Sequence, residues 1–471
     1  MKKMYIIGII LAIVIIATIG FSAFTNNHAP KGDLKIIDAS ALTEKGTLKL
    51  NGETKDENSG IFSSTASDEN AVLVNKTSIL KLTKSFINKT GNTATSGDDA
   101  DFYGVNSAVL VKDASKLTIE DCEIETNAKG SNGIFVTNTD NGQAAPGGNS
   151  PEGNGGSPPE KPPEELKKTD QSNNDTTANI KNVKITTHQD KSRGLDSTFG
   201  GIINAENVVI NTDGNSCAAL ATDRGEGNVT VINSVLNTGV NNASGRGSPL
   251  IYSTGNITVK NTQGTAYVSQ IACIEGKNSI TLENSQLTGF GEGNRKDGDK
   301  YVDLAGVFIY QSMSGDADVG TSTFISKNSK LSVDSSSKYY SEIPMFYITN
   351  TKANIFLESS TLDFGSGVLF KISGQNQWGN TGSNGGDANL TCTNQEMKGN
   401  ILVDAISSLN ITLKNSKFEG AINSTGTTGV VVESGSTWTL NGDSNVTSLS
   451  NSGKIDLNGH KLFVNGQEYK G

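Results

Sequence analysis

Val229-Thr230-Val231-Ile232-Asn233-Ser234 is a phrase that this chain repeats. It returns as Ile257-Thr258-Val259-Lys260-Asn261-Thr262, as Ile280-Thr281-Leu282-Glu283-Asn284-Ser285 and as Ile411-Thr412-Leu413-Lys414-Asn415-Ser416. Looser copies are Leu117-Thr118-Ile119, Asn179-Ile180-Lys181-Asn182, Val209-Ile210-Asn211, Leu331-Ser332-Val333, Ile355-Phe356-Leu357 and Leu390-Thr391-Cys392. The apolar residues marking successive copies fall at 180, 209, 231, 259, 282, 333, 357, 392 and 413, and most steps are 21 to 29 residues. The 51-residue step from 282 to 333 reads as two turns, with strands at Val307–Tyr310 and Thr323–Ile325 inside it. A fixed period of this size predicts a solenoid, in which each repeat buries its apolar face only by stacking on its neighbours.

The apolar runs are short, β-branched and alternating, which is a strand signal. Gly and Asn punctuate them and suit tight corners with positive φ. One coil holds two or three strands, for example Leu250-Ile251-Tyr252, a Gly255 corner and Ile257-Thr258-Val259. Val231, Val259, Leu282 and Leu413 are expected to stack inward. The recurrent Asn can pass a side-chain hydrogen bond from coil to coil while tolerating a left-handed backbone. Such an Asn ladder resembles that of the right-handed parallel β-helix of the pectin-lyase-like superfamily. The expectation is therefore an all-β chain, a single right-handed parallel β-helix of about 15 coils, roughly 70 Å long.

Composition agrees with a thin rod. Hydrophobic residues make up 34% of the chain, enough for an interior one side chain deep. The net charge of −10 argues against nucleic acid and anionic membrane surfaces as partners. Lys2 and Lys3 precede an apolar run from Met4 to Ala23, an export signal long enough to span a bilayer. Residues 1–28 thus read as a cleaved signal or a retained membrane anchor, and the protein as extracytoplasmic, secreted or anchored. Coils are expected over 29–137 and 176–435, with capping coils over 436–471. Residues 138–175 are rich in Gly, Pro, Asn and Glu and hold six of the nine prolines, which predicts a disordered insertion leaving one corner. Cys122, Cys217, Cys273 and Cys392 lack zinc spacing and read as free buried thiols, the alternative being a Cys217–Cys273 bridge if their coils align.

The sequence shows no nucleophilic or phosphate-binding apparatus, and no catalytic residue is assigned. All four arginines, Arg193, Arg224, Arg246 and Arg295, lie within about a quarter of the chain, each at a corner. Asp196, Asp223 and Asp297 accompany them. Arg193, Arg246 and Arg295 share a phase, so they are expected on one edge of the rod, able to grip sugar hydroxyls or uronate carboxylates. Salt-bridged structural corners are the other reading. Asp316-Ala317-Asp318-Val319-Gly320 has the oxygen spacing of part of a calcium loop, but Lys327 stands where the closing Glu belongs, so a plain polar turn competes with Ca²⁺. Trp378, within Asn376–Gly386, reads either as a sugar-stacking platform or as a cover for the coil edge.

Ser436-Thr437-Trp438-Thr439-Leu440-Asn441-Gly442 and the apolar positions from Val446 to Val464 resemble the closing coils of autotransporter-type passenger domains. The chain given ends at Gly471, so no outer-membrane barrel of its own is expected. Ser192-Arg193-Gly194-Leu195-Asp196, Ala221-Thr222-Asp223-Arg224-Gly225 and Tyr310–Asp318 look like phrases of exported β-helix proteins labelled adhesin-like or carbohydrate-binding. That resemblance implies a cell-surface or secreted, non-catalytic binder of polysaccharide or surface glycan. The alternative is a polysaccharide lyase or glycoside hydrolase working at the Arg/Asp corners.

Overall fold

A computed structural model describes residues 48–94, 97–138, 175–241, 245–312 and 314–470. The expected export segment at 1–28 and most of the expected insertion at 138–175 lie outside the described residues. Among the described residues, no helix is long and apolar enough to cross a membrane.

The chain winds as a parallel β-helix. Its first sheet has 13 strands, from Leu48–Asn51 to Ile422–Ser424, and its second has 14, from Thr54–Asn58 to Ser448–Asn451. The third side holds 10 strands, from Ile61–Ser64 to Thr361–Asp363, and a separate sheet of four follows from Glu396–Lys398 to Lys454–Asp456. Every pairing in these four sheets is parallel, from one coil to the next. The chain leaves the first-sheet strand Ile134–Thr137 and re-enters the second sheet at Thr177–Lys181, and the gap is closed by the Thr176 amide donating to Asn138 Oδ1 at 2.9 Å.

Alternation along the strands makes one continuous core. In the second sheet, Val231, Val259 and Leu282 occupy one inward column in register, continued by Ser326, Leu357, Cys392 and Leu413. All are buried. Val209 and Val333 are not in this column, contrary to the spacing. They belong to the third-sheet strands Val209–Thr212 and Lys330–Val333, and Ala205 and Ser326 hold their places. Ala and Ser are too small or polar to mark a repeat, while the third sheet carries the same alternation. The long step is also one coil rather than two: Leu282 pairs in register with Ser326, and the excess chain forms loops, including the antiparallel hairpin Lys296–Asp297 with Lys300–Tyr301.

An Asn after many second-sheet strands makes the corner, and it is followed by Ser or Thr at Ser234, Thr262, Ser285, Ser329 and Ser416. Asn182, Asn207, Asn233, Asn261, Asn284, Asn328, Asn394 and Asn415 all have φ between 47° and 55°. The amide of Asn207 donates to Asn182, that of Asn261 to Asn233 at 3.1 Å, and that of Asn415 to Asn394 at 2.7 Å. The following hydroxyl points inward and takes the backbone amide of the coil before. Val208 N donates to Ser234 Oγ (3.0 Å), Ser234 N to Thr262 Oγ1 (3.3 Å), Thr262 N to Ser285 Oγ (3.2 Å) and Ser285 N to Ser329 Oγ (3.1 Å). Buried corner amides are thereby satisfied without a fourth strand. Cys122 and Cys217 sit in equivalent ladders, their Sγ facing the amides of Ser85 and Ser192, and all four cysteines are free and buried.

At the far end Trp438 is fully buried, stacks near Phe418 and donates its indole N–H to Gly420 O at 3.0 Å. The final strand Gln467–Glu468 turns back antiparallel on Leu462–Val464 and so departs from the parallel stacking.

Candidate functional site

The corner arginines divide into two groups. Arg193 lies over the outer face of the first sheet, just before the strand Leu195–Thr198. Its guanidinium meets Asp101 at 2.9 Å, Asp223 at 2.9 Å and Asp196 at 3.5 Å. Asp196 and Asp223 come from successive coils, because Asp196 stands in register with Ala221, two residues before Asp223. Asp101 comes from the short helix Gly97–Tyr103, which docks on this face through more than charge. The Tyr103 and Phe199 rings stack at 5.9 Å, and Thr198 Oγ1 donates to Phe102 O at 2.9 Å. Arg224, after the next first-sheet strand, lies 3.9 Å over the Phe102 ring and pairs with Asp316 at 2.7 Å.

This cluster is sealed. Asp196 is fully buried and neither of its carboxylate oxygens has a hydrogen-bond partner. Burial pushes its pKa up to about 7, against the pull of Arg193. Burial also raises Asp223 well above the carboxylate range, again against Arg193. Burial works against the charge of Arg193 itself, but the carboxylates of Asp101, Asp223 and Asp196 hold its pKa well above the ordinary value. Farther along the same face the buried Glu275 accepts from Tyr252 Oη at 2.8 Å and from Ser312 Oγ, and burial raises its pKa too.

Arg246 and Arg295 belong to a different, exposed group. Arg246 Nε pairs with Glu292 at 3.4 Å, and Glu292 also takes Lys338 at 2.8 Å and the Tyr301 hydroxyl at 2.7 Å. Tyr301, at the end of the hairpin, meets Tyr339 edge-on with centroids 5.6 Å apart. Lys296 lies 4.6 Å over the Tyr301 ring and Lys338 lies 5.0 Å over the Tyr339 ring. The base of the hairpin is fixed by Asp303, whose carboxylate accepts from the amides of Asn294 (2.8 Å) and Arg295 (3.1 Å). Tyr267 and Phe290, 6.2 Å apart, extend the aromatic surface at the same corner. The result is a ridge of half-buried tyrosines and exposed cations around the buried Glu292, where the third side of the rod meets the first.

The Trp378 loop reaches this ridge. Asn376 donates to Asp297 Oδ2 at 3.0 Å, and Gln377 donates to Lys296 O at 3.0 Å. Trp378 itself is only 8% exposed, packed 5.5 Å from Phe308 and 5.0 Å from Tyr310. It covers the outer face of the first sheet and is not an exposed sugar platform. Asp316 and Asp318 do not converge on a cation site: Asp316 is taken by Arg224 and Asp318 by Lys277 at 2.8 Å. Among the described residues no group of three or more His, Cys, Asp or Glu side chains is arranged to hold a metal.

Of the residues singled out by sequence, Arg246, Arg295, Asp297 and the loop around Trp378 meet at the ridge. Arg193, Asp196, Asp223 and Arg224 meet in the sealed cluster, and the expected common edge of Arg193, Arg246 and Arg295 separates into these two. The tyrosines of the ridge were missed. Their signal was the pair of Lys-Tyr steps at Lys300-Tyr301 and Lys338-Tyr339-Tyr340, which period reading passes over as corner residues. No family model, curated protein or solved structure matches the chain.

Proposed function

We propose that this β-helix is an extracytoplasmic, adhesin-like protein of the pectin-lyase-like type that binds polysaccharide or surface glycan without cleaving it. The supporting observation is the ridge around Glu292. Tyr301 and Tyr339 are half-buried but offer ring surface on which a sugar face can stack, and Lys296, over the Tyr301 ring, can turn to a uronate or other acidic group, while Lys338 is held by Glu292 at 2.8 Å. Arg246 supplies a fork suited to carboxylate or paired hydroxyls. Export and any membrane attachment rest on residues 1–28, and fractionation of full-length and truncated protein tests them. A glycan array probed with the full chain tests the binding reading. Retention of acidic or hydroxyl-rich polymers is expected, and absence of all glycan binding would overturn it.

A second reading, hydrolysis or lyase chemistry, is favoured by one observation: the raised acids Asp196 and Asp223 lie side by side under an arginine, as a proton-holding pair would. It ranks second because Arg193 and the helix Gly97–Tyr103 cover both carboxyls. Appearance of reducing ends or unsaturated product from a bound polymer would place it first.

A further inference from the structure

An open groove of about 760 Å³ runs along the opposite edge of the first sheet, where the chain turns into the second. Its floor is one column of side chains in register on five successive coils: Thr321, Lys352, Asp387, Ser408 and Thr427. At the coil spacing this column is about 19 Å long, the reach of a chain and not of a single small molecule. Ser383 adds a hydroxyl along it. Val319, 79% exposed, and Ile406, 41% exposed, are two of only six large apolar side chains exposed among the described residues, and both line this groove.

Glycine lets adjacent coils close up at the groove wall. A Cβ on Gly385 would lie 2.1 Å from Ile406 O, and one on Gly386 2.8 Å from Ile372 Cγ2, so no side chain can stand at either corner position without moving its neighbours. Lys352 has no ion-pair partner among the described residues, although Asp387 faces it in register and accepts from Ser408 Oγ at 2.5 Å. The lining thus offers a run of hydroxyls, one cation, one carboxylate and two apolar patches.

We infer that this groove is a second carbohydrate-binding site, taking a single linear, neutral polysaccharide chain along the rod axis. The hydroxyls, Lys352 and Asp387 match sugar hydroxyls, and Val319 and Ile406 match the C–H faces of the rings. A peptide strand fits less well. Each second-sheet strand along the groove is already paired on both sides, so no free edge offers main-chain hydrogen bonds. With the ridge on the other edge of the first sheet, the rod carries two glycan sites and can join two polymer chains, a gain in avidity without new contacts. This inference extends the binding reading but stands on separate residues.

The test is calorimetric titration of the full chain with cellohexaose, xylohexaose and mannohexaose. The wild type is expected to bind at least one of them. Ser408→Trp, which fills the groove, should weaken that binding by about tenfold or more. Lys352→Ala, at an exposed position whose loss does not threaten the fold, should weaken it by a smaller factor. Tyr301→Ala with Tyr339→Ala should leave it unchanged, which separates failure of the groove from failure of the ridge. No binding of any hexasaccharide by the wild type, or binding that Ser408→Trp and Lys352→Ala both leave intact, would overturn the inference.

Discussion

Arg193 bonds Asp101, 92 residues earlier in the chain, at 2.9 Å, and that contact fastens a short helix across the outer face of the first sheet. The same guanidinium meets Asp223 at 2.9 Å and Asp196 at 3.5 Å. Replacing it with Leu leaves Asp196 and Asp223 beneath the docked helix without their guanidinium, and leaves Asp101 only Lys191, at 3.4 Å. The expected cost is about 3–5 kcal/mol, the usual effect of stripping one partner from a buried ion cluster. Urea unfolding of Arg193→Leu measures it. A loss below about 1 kcal/mol would mean that the cluster is solvated like a surface pair.

Asp196 makes stability depend on pH in an unusual direction. Its pKa stands at about 7 in the fold against an ordinary 3.8, so between these values the folded chain holds a proton that the unfolded chain has lost. Stability from this group is therefore greatest at the acid end, falls as pH rises from about 4 to 7, and is level above that. Asp196→Asn, neutral throughout, should flatten that part of the profile. An unchanged slope would assign it to other groups.

His188 acts in the alkaline range. Its ring bridges Asp213 at 3.0 Å and Glu125 at 3.2 Å, and these hydrogen bonds raise its pKa to about 9. A raised histidine contributes fully below its ordinary 6.5, and the contribution is lost as pH rises through about 9. His188→Gln should remove the melting-temperature difference between pH 6.5 and pH 9.5 that this group supplies. NMR titration of the imidazole gives the pKa directly, and a value near 6.5 would contradict the bridge.

The inward column is the least forgiving place in the rod. Leu282 stacks between Val259 and Ser326, fully buried. Leu282→Asp puts an unpaired charge in that interior and should cost upwards of about 3 kcal/mol. At the corner, Asn261→Ala loses both the bond to Asn233 and an easy left-handed backbone, for about 1 kcal/mol. Thermal melts of the two variants should differ in that order. The reverse order would show that the corners, not the column, hold the coils together.

The parallel β-helix was legible because its two strongest signals are local. The alternation around Val231, Val259 and Leu282 and the Asn that turns many of the corners are written in consecutive residues. Coil register was less so, since third-sheet strands such as Val209–Thr212 carry the same alternation, and Ala205 and Ser326 leave no apolar mark. The site was legible only as a list of unusual residues. That Arg193 is closed off by Asp101, while Arg246 stands open beside Tyr301, depends on a helix and a hairpin inserted between coils. Insertions lie outside any period, so their partners are fixed by packing alone.

The central claim is that the Tyr301–Tyr339 ridge holds glycan, and the most direct measurement is calorimetric titration of the full chain with polygalacturonate. The wild type should bind it, more weakly as salt rises, and Tyr301→Ala with Tyr339→Ala, checked for folding by circular dichroism, should lose about tenfold or more in affinity. Equal affinity in wild type and double variant, both folded, would contradict the account.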